Sequence, residues 1–154
     1  MAAEPVVLDT DTLSELSRGS LPVREQALAY LARFGRLTIT AVTVFERLRG
    51  YRAALHAGKP FESQLHAFEA LVGNSIVLPF DEEAASVAAE IWARASRPQR
   101  RQVGDILIAA IAVSRQMPLV TRNRKDFEGL AKISGVGLRL LDWSAPRTHA
   151  RTDR

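Results

Sequence analysis

The chain has no cysteine. That excludes disulfides, thiolate zinc sites and thiol nucleophiles together. Histidine is scarce as well: His56, His66 and His149 are all there are. Their scatter matches no metal-ligand spacing, so surface roles are expected for them. No apolar run approaches the ~20 residues of a membrane span, and no signal-peptide pattern is present. A cytoplasmic, soluble protein with no membrane role is the expectation.

What is there is ordinary in amount and uneven in placement. The 154 residues suit one domain with a proper core, and 47% of them are apolar and 25% charged. The formal net charge is +4. Half of it comes from Arg147, Arg151 and Arg154 against Asp153 in a polar stretch containing Pro146. Residues 144–154 are therefore expected to form a flexible basic tail behind a single domain over 1–143. Elsewhere the cations are mostly arginine, which favours bidentate contacts to phosphate or carboxylate. A mildly basic surface is compatible with nucleic acid, and by itself is weak evidence for it.

Periodicity gives the order of elements. Short apolar strands are expected at 6–8, 37–40, 76–78, 118–121 and 138–141. Helices are expected at 11–16, 23–34, 42–57, 61–71, 82–95, after Asp105, and around 126–131. Asp11 or Thr12 is a plausible cap for the first helix, with Glu15 completing a capping box. In the second the apolar face is read as Ala27, Leu28, Leu31 and Phe34, and in the third as Val44, Phe45, Leu48 and Tyr51. Arg97, Arg100 and Arg101 read as a solvated basic loop able to meet a nucleic-acid backbone. Trp92 and Trp143 read as packing residues before base-stacking ones. Strands alternating with helices indicate an α/β protein with a largely parallel sheet. There is no internal repeat and no second domain.

Four acids stand at the edges of these elements. Asp9 closes the first strand, Glu46 lies in the first turns after the second, Asp105 opens an apolar helix, and Asp126 follows the fourth strand. In open parallel sheets, sites form at the carboxyl ends of the strands, so all four can converge. Carboxylates crowded against apolar surface are costly, and a hard divalent cation such as Mg2+ or Mn2+ would neutralise them. Each acid alone has a bland explanation. Asp105 and Asp126 can cap helices, and Glu46 can pair with Arg49 on a helix surface.

The surrounding residues carry a resemblance. Leu8-Asp9-Thr10-Asp11-Thr12, Phe45-Glu46-Arg47-Leu48, Gly104-Asp105-Ile106-Leu107 and Thr121-Arg122-Asn123-Arg124-Lys125-Asp126 together resemble the PIN-domain ribonucleases, most of all the VapC-type toxins of toxin–antitoxin pairs. The resemblance spans nearly the whole chain outside the tail. It implies a three-layer α/β sandwich with a short-stranded, largely parallel sheet flanked by helices. It further implies a Mg2+- or Mn2+-dependent endoribonuclease, with RNA hydrolysed to a 5′-phosphate and a 3′-hydroxyl. Asp9, Glu46, Asp105 and Asp126 match the family's metal-holding acids, and Thr121 and Asn123 match its supporting polar positions. A small cognate antitoxin and a homodimer are the implied partners, with Leu13, Leu16, Val44, Phe45 and Leu48 as apolar surface for either. Two positions depart from the pattern. Asp11 stands where the family usually has Asn, and Phe45 where it commonly has Leu or Ala. Asp11 is either a fifth ligand or a helix cap, with capping favoured.

The chemistry suits these residue types, because carboxylate-held metals can neutralise the phosphate and stabilise both attacking and leaving oxygens. Two alternatives remain. Leu8-Asp9-Thr10-Asp11-Thr12 also imitates the nucleophile motif of haloacid-dehalogenase-like phosphatases, although Asp105 then precedes the threonine strand in the wrong order. The other is an inactive PIN-like binding module.

Overall fold

Apolar stretches too short for a helix, set between good helix formers, become strands covered on both faces. The computed structural model describes residues 4–133 and 135–145. It contains β1 (Val7–Leu8), β2 (Thr38–Thr40), β3 (Ile76–Leu78), β4 (Leu119–Val120) and β5 (Leu140–Leu141). Every described ladder is parallel. β1 pairs with β4 and β4 with β5, in one group; β2 pairs with β3 in another, and β1 lies beside β2. The strands are shorter than expected for local reasons. Pro118 has no N–H to donate to a ladder, although its carbonyl accepts the N–H of Val7 at 2.9 Å.

The helices are α1 (Thr10–Ser17), α2 (Leu21–Phe34), α3 (Ala41–His56), α4 (Glu62–Gly73), α5 (Glu82–Arg94), α6 (Arg97–Arg100), α7 (Val103–Ser114) and α8 (Arg124–Ala131). Strand residues alternate between two apolar clusters, as a period of two demands. Val7 and Leu119 face Ala88 and Ile91 of α5, Ile106 and Ala109 of α7, and Phe127 of α8. Val6, Leu8 and Val120 face Leu13 of α1, Val23 and Ala27 of α2, Phe68 of α4 and Trp143. Helices therefore cover both faces of the sheet, giving the three layers expected.

Some expectations are corrected. The α1 cap is Asp9, whose backbone is extended (φ −75°, ψ 162°), so neither Asp11 nor Thr12 caps the helix. The capping box lies instead at Ser96 and Gln99, which start the unforeseen α6 inside the basic loop. Leu28 is exposed, and its place in the α2 core falls to Tyr30, whose hydroxyl accepts the Val6 N–H at 3.1 Å. On α3, Val44, Leu48 and Tyr51 pack inward while Phe45 is 60% exposed. Leu13 is buried and Leu16 partly so. Of the five residues expected to form apolar docking surface, Phe45 alone is exposed. Trp143 packs against Tyr30, as expected. His56 and His66 are exposed; His149 and residues 146–154 of the expected tail lie outside the described residues.

Candidate active site

The ends of β1 and β4 set the geometry. The N–H of Asp9 bonds the Val120 carbonyl at 2.9 Å, so Asp9 leaves the sheet level with Thr121. The Thr121 hydroxyl lies 3.0 Å from Asp9 Oδ2 and 3.4 and 3.5 Å from the two oxygens of Asp11. It has one hydrogen to give, and the shorter contact assigns that hydrogen to Asp9. The same oxygen accepts the Asn123 N–H at 3.0 Å. Asn123 in turn donates from Nδ2 to Asp126 Oδ2 at 2.8 Å. One turn after β4 thus orients two of the predicted acids.

Asp11 faces the site. Its Oδ1 also lies 3.3 Å from the Arg122 N–H that points to it. Glu15, read in sequence as a capping partner, binds Arg122 at 2.7 Å and Arg18 at 3.0 Å. That ion-pair group clasps the turn after β4 onto α1.

Glu46 and Asp105 arrive from α3 and α7. Thr40 caps α3 by accepting the Thr43 N–H at 3.1 Å. The Thr43 hydroxyl meets that of Thr10 at 3.1 Å, which ties the starts of α1 and α3 together. Across from α3, Gly104 allows close approach: a Cβ there would lie 3.1 Å from Glu46 Oε1. That oxygen is buried and has no hydrogen-bond partner among the described residues. No ion pair joins Glu46 to Arg49 among the described residues, although the Arg49 charge acts on Glu46 from a distance.

Electrostatics shows that the acids share one space. Burial raises the Asp9 carboxyl to about 8, with Asp11 and then Asp105 adding repulsion against the hydrogen bonds that oppose the shift. Burial first, then the charges of Glu46, Asp126 and Asp11, lifts Asp105 to about 6. Glu46 is raised by burial as well, with Arg49 opposing. Asp105 is the residue that feels most of the others. Among the described residues no three His, Cys, Asp or Glu side chains form a ready-made metal cage. The donor set nevertheless fits a hard cation: it is all oxygen, mutually repelling, and includes a buried unpartnered carboxylate oxygen.

A cavity of about 440 Å³ opens beside Glu46 and Asp105, with Phe45, Arg49, Arg101 and Val103 among its walls. The sequence reading did not place Arg49 or Phe45 at a site. The only available signal was their position beside Glu46, which looks the same for a plain helix surface. Arg100 does not join them. It bonds the Trp92 and Ala93 carbonyls at 3.0 and 3.3 Å and stacks on the Trp92 ring, finishing α5.

Comparison with known proteins bears on the family and the fold. Residues 6–133 match the model of the PIN domain family. The tRNA(fMet)-specific endonuclease VapC of Shigella flexneri is 37% identical over 112 residues, which cover 71% of this chain and 77% of that protein. Among solved structures, DNA-bound VapBC from Salmonella typhimurium superposes with a TM-score of 0.69 at 26% identity, covering 90% of this chain and 98% of that one. VapBC2 from Rickettsia felis, bound to a promoter DNA fragment, gives 0.70 at 18% identity, with 91% and 99% covered. No helix among the described residues is long and apolar enough to cross a membrane.

Proposed function

Because this chain belongs to the PIN-domain family and is of the VapC type, we propose that it is the ribonuclease toxin of a toxin–antitoxin pair, cutting RNA with the help of a divalent cation. Membership of that family sets aside the dehalogenase-like phosphatase. The observation that carries the reading is the shared space of Asp9, Asp11, Glu46, Asp105 and Asp126, in which Asp9 and Asp105 are pushed to about 8 and about 6. A cluster of mutually repelling carboxylates this unfavourable, at the carboxyl edge of the sheet, suits cation-assisted chemistry better than structural duty. It also speaks against an inactive binding module.

Asp9, Glu46, Asp105 and Asp126 would hold Mg2+ or Mn2+, with Asp11 close enough to assist. Such an ion supplies charge neutralisation at the phosphate and acidifies bound water. The chain's own part is orientation. Thr121 fixes Asp9, Asn123 fixes Asp126, and Gly104 lets Glu46 approach Asp105. Burial of Asp9 beneath these groups keeps bulk water from screening the site.

The partners follow from the relatives. The VapBC structures are complexes of that type, so a small antitoxin that restrains this chain is proposed, together with a homodimer. The test is induced expression of the wild type and Asp9→Asn side by side, with RNA 5′-ends mapped. Growth arrest with new 5′-phosphate ends in the wild type alone is expected. Equal arrest and equal cleavage by Asp9→Asn would refute the site.

A further inference from the structure

We propose that Phe45, with Arg49 and Arg101, forms a subsite that seats one unpaired nucleotide of the RNA next to the cleaved phosphate. The inference rests on the ribonuclease reading and adds a recognition element to it. Phe45 is 60% exposed in the second turn of α3, directly before Glu46. An aromatic ring at the surface offers a flat face on which a nucleic-acid base can stack. Phe45 lines the cavity of about 440 Å³ that also reaches Glu46 and Asp105.

The walls describe the occupant. Phe45 and the exposed Val103 supply apolar faces, and Arg49 lies over the Phe45 ring with its guanidinium carbon 5.3 Å from the centroid. Neither Arg49 nor Arg101 makes an ion pair among the described residues, so both guanidiniums can meet an anion. An apolar ring, two guanidiniums without an ion pair among the described residues and a neighbouring carboxylate cluster match a nucleotide: base against ring, phosphates on arginines, scissile bond toward the acids. A base inside a duplex has no free face to offer, so the fitting segment is single-stranded. A second protein copy fits less well, because two arginines that make no ion pair among the described residues and an acidic floor would be buried with it.

Arg49 at i+4 from Phe45 stands on the same helix face, so stacking and phosphate contact are set by one rigid element. Phe45 is a residue that binds the substrate and takes no part in the bond changes.

The test is steady-state cleavage of short single-stranded and hairpin RNAs by the wild type, Phe45→Ala, Phe45→Leu and Phe45→Trp, with self-association measured alongside. Phe45→Ala should raise KM roughly tenfold with kcat little changed, the size of one lost base stack. Phe45→Trp should keep the wild-type KM. Phe45→Leu, apolar but without a ring, should behave like Phe45→Ala. An unchanged KM in Phe45→Ala while the wild type cleaves RNA would overturn the subsite and leave the nuclease intact. The same unchanged KM with loss of self-association would assign the face to a second copy, again against the subsite. Absence of RNA cleavage by the wild type would overturn both readings.

Discussion

Asp9 decides more of this site than any other residue, because it is both the most buried acid and the one fixed by β4. Its carboxyl stands at about 8 when folded against 3.8 in the free chain, so the folded state holds its proton more tightly. Stability contributed by that proton is complete only below the free-chain value of 3.8 and is lost progressively as pH rises from there to about 8. Replacing Asp9 by Asn removes the charge and keeps an oxygen for the Thr121 hydroxyl. In chelator, Asp9→Asn should therefore melt several degrees above the wild type at pH 8. At pH 5, much nearer the free-chain value of 3.8, the gap should be far smaller. Thermal denaturation at the two pH values checks this, and a wild type that is the more stable at pH 8 would contradict it. Asp11 was the open question at this scale. A short polar side chain after a strand looks like a cap, and only the extended backbone of Asp9 shows that the cap lies two residues earlier.

At the scale of elements, the site depends on how closely α7 approaches α3. Gly104 is the contact that permits it, with 3.1 Å to Glu46 Oε1 from any Cβ placed there. Gly104→Ala asks Glu46 to yield a few tenths of an ångström, whereas Gly104→Val adds two methyls against it. Gly104→Val should cut the cleavage rate by roughly a hundredfold through displacement of Glu46, with circular dichroism unchanged. Gly104→Ala should lose much less. Equal activity in Gly104→Val and wild type would show that Glu46 is not held from α7.

Most helices were legible in the sequence because their apolar spacing and end signals agree. The faces were harder to read. Phe45 and Leu28 fit the apolar stripes of α3 and α2 and are exposed all the same, since Val44 and Tyr30 take the inward positions beside them. The short helix α6 was missed because three arginines suggested a loop, although Ser96 and Gln99 spelled its capping box.

For the whole molecule, parallel strands at the carboxyl edge are the reason that acids far apart in the chain share one space. That convergence was legible from element order alone. The detail that orders them was not, because the turn from Thr121 to Asn123 acts through hydrogen bonds spanning over a hundred residues to α1. The apolar sandwich brings carboxylates together that would otherwise avoid one another, and a divalent cation is the counterpart this arrangement calls for. The central claim is that these acids work as one cation-dependent centre for cutting RNA. The most direct measurement is cleavage of a single-stranded RNA by the purified chain in Mg2+ and in chelator, beside Asp105→Asn in Mg2+. Cleavage to 5′-phosphate ends by the wild type in Mg2+ only, with none from Asp105→Asn, is the predicted result. Full cleavage in chelator, or by Asp105→Asn, would contradict it.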